Sequence, residues 1–165
     1  MQRPNGFTLI ELVIVVALIL IIAAIAIPSF TEAKIHADET SAVQSIRVIN
    51  QAEVQYEAAY GGFADSLANL GGAEPCTKSA ATACLLDQSL AGGEKSGYRF
   101  SAVGSGPENE PHSTYIVGAA PVDFNRTGKR LFCSTDKNVI RADPNSVGSA
   151  TPPDAEQCRA FKALQ

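Results

Sequence analysis

Residues 6–12 read Gly6-Phe7-Thr8-Leu9-Ile10-Glu11-Leu12, and the run from Leu12 to Ile27 holds sixteen residues without a polar side chain. Counted from Phe7 the apolar stretch has 21 residues, interrupted only by Thr8 and Glu11. As a helix rising about 1.5 Å per residue it spans ~32 Å, against ~30 Å for the hydrocarbon core of a bilayer. A carboxylate at the start of such a helix costs about 3 kcal/mol at membrane depth unless it finds a partner. The six residues before Phe7 are mostly polar and carry Arg3.

The apolar run is longer than the apolar region of a cleaved secretory signal, although Ala23, Ala24 and Ala26 imitate the small residues of a cleavage site. A core helix apolar on all sides does not suit a chain this small. Arg3 on one side and an acidic, cysteine-bearing region on the other place the N-terminus in the cytoplasm, so the reading is a single-span membrane protein.

The 165 residues allow one domain plus an appended segment. A net charge of −4 and a pI near 5.1, with no run of five like charges, argue against a nucleic-acid partner. Cys76, Cys84, Cys133 and Cys158 all follow the apolar segment, which fits disulfides in an oxidising compartment. Four cysteines allow three connectivities. Closeness in sequence favours Cys76–Cys84, leaving Cys133–Cys158 to tie the C-terminal tail to the body. A zinc site would need closely spaced cysteine pairs, which are absent.

Pro28 removes a helix donor and predicts a kink or an end. The helical pattern nevertheless resumes: Ala42, Ile46, Ile49, Glu53, Tyr56 and Tyr60 recur every three or four residues, with Val43 and Ala52 flanking. Lys34, Asp38, Glu39, Gln44, Arg47, Gln51 and Glu57 fall on the remaining, polar face. One helix is expected from Phe7 to Tyr60, bent near Pro28 and ended by Gly61-Gly62.

Residues 61–97 predict a connection with short helical pieces, at Phe63–Leu70 and around Leu85, Leu86 and Leu90. Alternation from Tyr98, an apolar segment from Thr114 to Ala120, and the segments 130–134 and 139–142 around a turn at Asn138 predict four antiparallel strands. Their apolar face would cover the amphipathic half of the helix. A proline-rich tail, irregular and held by Cys158, would follow.

Residues 6–12 behind a short Arg-bearing leader resemble the start of type IV prepilins and type II secretion pseudopilins. The resemblance is specific through Tyr60 and architectural beyond it. It implies an α+β fold: a long N-terminal helix kinked near Pro28, packed on a four-stranded antiparallel sheet, with a disulfide-tied tail. The implied organisation is a leader at 1–6, a transmembrane and filament-core helix at 7–27, and its amphipathic half at 28–60. A variable loop at 61–97, a sheet at 98–142 and a tail at 143–165 complete it.

In this family a membrane prepilin peptidase cuts after the glycine matching Gly6 and methylates the new N-terminal residue, here Phe7. The glutamate matching Glu11 serves filament assembly. The implied function is that of a structural subunit, not an enzyme. It is held in the inner membrane with its N-terminus cytoplasmic, then assembled with copies of itself into an extracellular or periplasmic helical filament. Other proteins supply the ATP-driven pilus or type II secretion platform, and such filaments serve adhesion, motility or secretion. The Cys133–Cys158 tether favours a pilin over a type II secretion pseudopilin, and the presence of Glu11 favours a shaft subunit over a minor pilin. Glu11 acting only as a helix cap is the plainer alternative.

No catalytic residue, metal or cofactor is expected. His36 and His112 lie in polar surroundings and read as solvent-exposed. Asp123-x-Asn125-x-x-Gly128 reads as a turn rather than a calcium loop, because the distant glutamate of that pattern is missing. Asn125-Arg126-Thr127 is formally a glycosylation sequon. A single-span membrane enzyme or binding protein, the reading from another class, would need a convergent polar cluster that the sequence does not offer.

Overall fold

The computed structural model describes residues 6–107 and 110–164, with Ile27 and Pro28 described by backbone alone. The leader residues 1–5 lie outside the described residues. Two compact units divide the chain, residues 1–34 and 35–165.

Helix α1 runs from Leu9 to Tyr60. Its helical backbone continues through Pro28, so the missing donor there interrupts the hydrogen-bond ladder without ending the helix. Gly61, at φ +83°, takes the left-handed conformation that closes the helix, and its N–H donates to the Glu57 carbonyl (2.8 Å). In the first unit the apolar side chains have no protein cover: Leu9 is 80% exposed and Ile25 69%. This is the one helix among the described residues long and apolar enough to cross a membrane.

In the second unit, residues 35, 39, 42, 46, 49, 53 and 56 of α1 are buried at alternating spacings of four and three, while Tyr60 emerges into solvent. That stripe packs on an antiparallel sheet, which among the described residues has six strands rather than four. These are β1 (Glu94–Lys95), β2 (Tyr98–Ser105), β3 (Thr114–Pro121), β4 (Leu131–Thr135), β5 (Arg141–Asp143) and β6 (Lys162–Ala163), ordered consecutively. The two extra strands are two-residue edges. β1 is set by a tight return into β2 and β6 by the tail returning to β5, and segments that short carry no alternation to read.

Strand alternation sorts the sheet. Tyr98, Phe100, Ala102, Tyr115, Val117, Ala119 and Phe132 join Ile46 and Ile49 in the main core. Ile116 and Cys133 face the other way, where they meet Cys158, Ala155 and Phe161 of the tail. Gly118 makes that second layer possible, since a Cβ there would lie 2.7 Å from the Pro153 carbonyl oxygen.

The connection holds α2 (Leu67–Leu70) and α3 (Gln88–Ala91). Asp87 caps α3 and pairs with Lys95 (2.9 Å). Hydrogen bonds from Ser89, Lys95 and the Leu90 N–H hold its carboxyl well below the usual range. The tail is more ordered than its prolines imply. α4 (Ala155–Ala160) starts with a reciprocal capping box between Asp154 and Gln157.

Disulfides join Cys76 to Cys84 and Cys133 to Cys158. The second bridges a sequence separation of 25 residues and is buried at both ends. Chain-entropy arithmetic for such a loop gives about 3.5 kcal/mol. The double substitution Cys133→Ser/Cys158→Ser is therefore expected to lower unfolding free energy by roughly that amount. Chemical denaturation of the full chain in detergent measures it, and an unchanged midpoint would contradict the estimate.

Candidate functional site

The sequence-predicted site residues Gly6, Phe7 and Glu11 sit at the free end of α1. Gly6 is exposed, and a Cβ built on it meets no atom within 4 Å. Nothing in the packing of the described residues therefore requires glycine there. Phe7 is 87% exposed, with no hydrophobic seat in the described chain.

Thr8 is the residue that the sequence reading missed. Its N–H and hydroxyl both donate to Glu11 Oε2 (2.9 and 2.6 Å), and the Glu11 N–H donates to Thr8 Oγ1 (3.3 Å). This is a capping box, with Thr8 as the N-cap and Glu11 at the third helical position. The spacing Thr-x-x-Glu before an apolar run was the signal. Glu11 thus spends one carboxylate oxygen on its own helix, where the helix dipole also favours a negative charge. Its other oxygen, Oε1, takes no hydrogen bond among the described residues.

From Leu12 to Ile25 the helix then offers an unbroken apolar surface to its surroundings. Pro28 lies one turn beyond Ala24, whose carbonyl is the acceptor that a proline leaves without its helical donor. The Ser29 hydroxyl donates to the next carbonyl, that of Ile25 (3.2 Å), and supports the ladder at this break. Pro28 stands further along the same helix from the Gly6–Glu11 end, and both disulfides belong to the second unit.

The second unit holds two buried carboxylates on the helix stripe. Glu39, expected on the polar face, is 3% exposed. Arg130 reaches it through Nε and Nη2 (2.9 and 2.8 Å), and the Lys129 N–H donates to its other oxygen (2.9 Å). The Arg130 guanidinium also lies 5.1 Å from the Phe132 ring centre. Burial therefore comes with a full set of partners, as an interior charge requires.

Glu53 is different. It is fully buried, its Oε2 accepts the Ala64 N–H (3.0 Å), and its Oε1 has no partner. Burial pushes its carboxyl up to about 7, against the opposing pull of the Ala64 hydrogen bond. Beside these, Asn50 donates to Ser134 Oγ (2.9 Å) and accepts from the Tyr115 hydroxyl (3.3 Å), pinning helix to sheet.

His36 is exposed. His112 is only partly so: its Nε2 stands 2.7 Å from Asp65 Oδ1 and its Nδ1 is buried without a partner. The expectation of a plain solvent histidine fails there because the Phe63–His112 bridge draws the loop onto the helix end. Asp123–Gly128 is a turn, with Asn125 at φ +64° and the Asp123 carbonyl accepting from the Arg126 and Thr127 N–H groups. Among the described residues no group of three or more His, Cys, Asp or Glu side chains is placed to hold a metal ion.

The described chain thus pairs a capped, uncovered apolar helical segment with a disulfide-braced α+β unit. Residues 1–27 match the family model described as the prokaryotic N-terminal methylation motif. The chain is also 36% identical, over 69 residues, to the type IV major pilin protein PilA of Myxococcus xanthus (strain DK1622). That match covers 42% of this chain and 31% of that protein, so this chain spans about a third of its relative. No solved structure gives a significant match. The chain therefore carries the N-terminal methylation motif in its first 27 residues and is similar, over part of its length, to a type IV pilin.

Proposed function

We propose that this chain is a structural subunit of a type IV pilus-like filament. A prepilin peptidase cuts between Gly6 and Phe7 and methylates the Phe7 amine. The processed protein waits in the inner membrane, N-terminus cytoplasmic, until a pilus assembly platform draws it into the growing filament. There the surface from Phe7 to Ile27 exchanges lipid for the same segment of other copies, and Pro28 is where the helix bends or loosens to fit. The observation that carries this reading is the uncovered apolar helix whose one carboxylate caps with Oε2 and leaves Oε1 for a partner. The relative named as a major pilin favours a shaft subunit over a secretion pseudopilin.

Sequencing the subunit from sheared surface filaments tests it: the expected N-terminus is methylated Phe7, and membrane-only protein retaining Met1 would refute it. Gly6→Val is expected to leave the fold unchanged, since a Cβ there meets nothing. It should nevertheless block maturation, seen as unprocessed full-length protein on a gel. A normally processed Gly6→Val protein would remove Gly6 from the site.

A further inference from the structure

On the face of the sheet turned away from α1 lies a cleft of about 440 Å³, floored by the Cys133–Cys158 disulfide region and walled by β3, β4, β5 and α4. This size falls within the ~300–1,000 Å³ of small-molecule sites. Two guanidiniums from different elements line it. Arg141 on β5 is held by an Nη1 hydrogen bond to the Phe161 carbonyl (3.0 Å), which fixes the group without neutralising it. Arg159 on α4 has no carboxylate partner among the described residues and is exposed. The third cation, Lys137, is tied to the cleft's one carboxylate, Asp136 (2.8 Å), so that pair cancels.

The cleft therefore carries two unneutralised positive charges in a chain whose net charge is −4. Its remaining polar wall is made of hydroxyls. The Thr135 hydroxyl makes no hydrogen bond among the described residues, and the Thr114 hydroxyl donates to the Ser105 carbonyl (3.1 Å), keeping its lone pairs available.

We infer that this cleft binds a phosphorylated sugar, with Arg141 and Arg159 holding the phosphate and the threonine hydroxyls meeting the sugar. Two guanidiniums, one held by the Phe161 carbonyl and one exposed, suit a dianion better than they suit a single carboxylate, and guanidinium pairs with phosphate through parallel N–H···O bonds. A cleft this large holds more than the anion, and its hydroxyl wall complements a polyol. The inference does not depend on filament assembly, since every residue it uses lies in the second unit.

Calorimetric titration of the full-length protein in neutral detergent micelles tests it, with glucose 6-phosphate, inorganic phosphate and glucose as probes. Saturable binding of glucose 6-phosphate, weaker binding of inorganic phosphate and none of glucose is the expected order. Arg159→Gln, at an exposed position that the fold tolerates, should weaken glucose 6-phosphate binding at least about tenfold. Lys137→Gln should change it less than about twofold. Should Arg141→Gln disturb the tail, Arg159→Gln still decides the question. No binding of glucose 6-phosphate, equal binding of glucose, or unchanged affinity in Arg159→Gln overturns the inference.

Discussion

Glu11→Gln is expected to leave a processed, membrane-inserted protein that makes almost no filaments. The choice of glutamine follows from the capping box. Glutamine at the third helical position can still accept the Thr8 N–H, so the local cap survives and only the charge is lost. Cleavage after Gly6 would place a new amine on Phe7, one residue before the cap. In a subunit bundle that amine and a neighbour's Glu11 would be two opposite charges in apolar surroundings. Leaving one of them buried and alone costs about 3–5 kcal/mol. At ~1.4 kcal/mol per tenfold this is a loss of about two to three and a half orders of magnitude in subunit association.

Thr8→Ala is the complementary control: it removes the cap, worth about 1 kcal/mol, and keeps the charge. Filament yield by shearing and quantitative blotting, set against the membrane pool, separates the two roles. If Glu11→Gln assembles normally and Thr8→Ala does not, Glu11 is a cap and nothing more.

The anchor was legible because its signal is local. Sixteen apolar residues in a row and a seven-residue motif need no distant partner to be interpreted. The antiparallel order of β2 to β5 is legible for a related reason, each strand pairing with the next in sequence; Asn138, at φ +56°, takes the left-handed position expected of it.

What escaped is non-local or reciprocal. Glu39 was assigned to solvent by residue type, although its spacing to Ala42 and Ile46 continues the buried stripe. Its partner Arg130 lies 91 positions away, and nothing in the chain order pairs them. Strand β6 exists only because the tail returns to β5. The two capping boxes, Thr8 with Glu11 and Asp154 with Gln157, were readable from spacing alone. At Glu11 the partner that spacing adds is Thr8, and in the tail the prolines beside Asp154 argue against a helix. The cleft at Arg141 and Arg159 needs two elements brought together by the Cys133–Cys158 bridge.

Glu53 makes the fold pH-sensitive, with a sign opposite to that of an ordinary carboxylate ion pair. Its carboxyl is raised from 4.5 to about 7 in the folded chain, so between those values the native state keeps a proton that the unfolded chain has released. The unfolded state then binds fewer protons, and stability falls as pH rises through this window. The stability is fully present below the unfolded value and is lost as pH passes the folded one. The difference corresponds to roughly 3 kcal/mol once both states are ionised.

The geometry supplies the cause. Oε2 accepts from the Ala64 N–H, and among the described residues Oε1 faces no donor and no cation reaches the site as Arg130 reaches Glu39. An ionised Glu53 would also oppose deprotonation of the Tyr56 and Tyr115 hydroxyls around it, both already raised by burial. Glu53→Gln keeps an acceptor for the Ala64 N–H and cannot ionise. It is expected to flatten the stability profile between pH 5 and pH 8, and to exceed the parent at pH 8 by about 2–3 kcal/mol. Denaturant unfolding of both proteins in detergent across that range measures it, and parallel profiles would mean that Glu53 stays ionised in the folded chain.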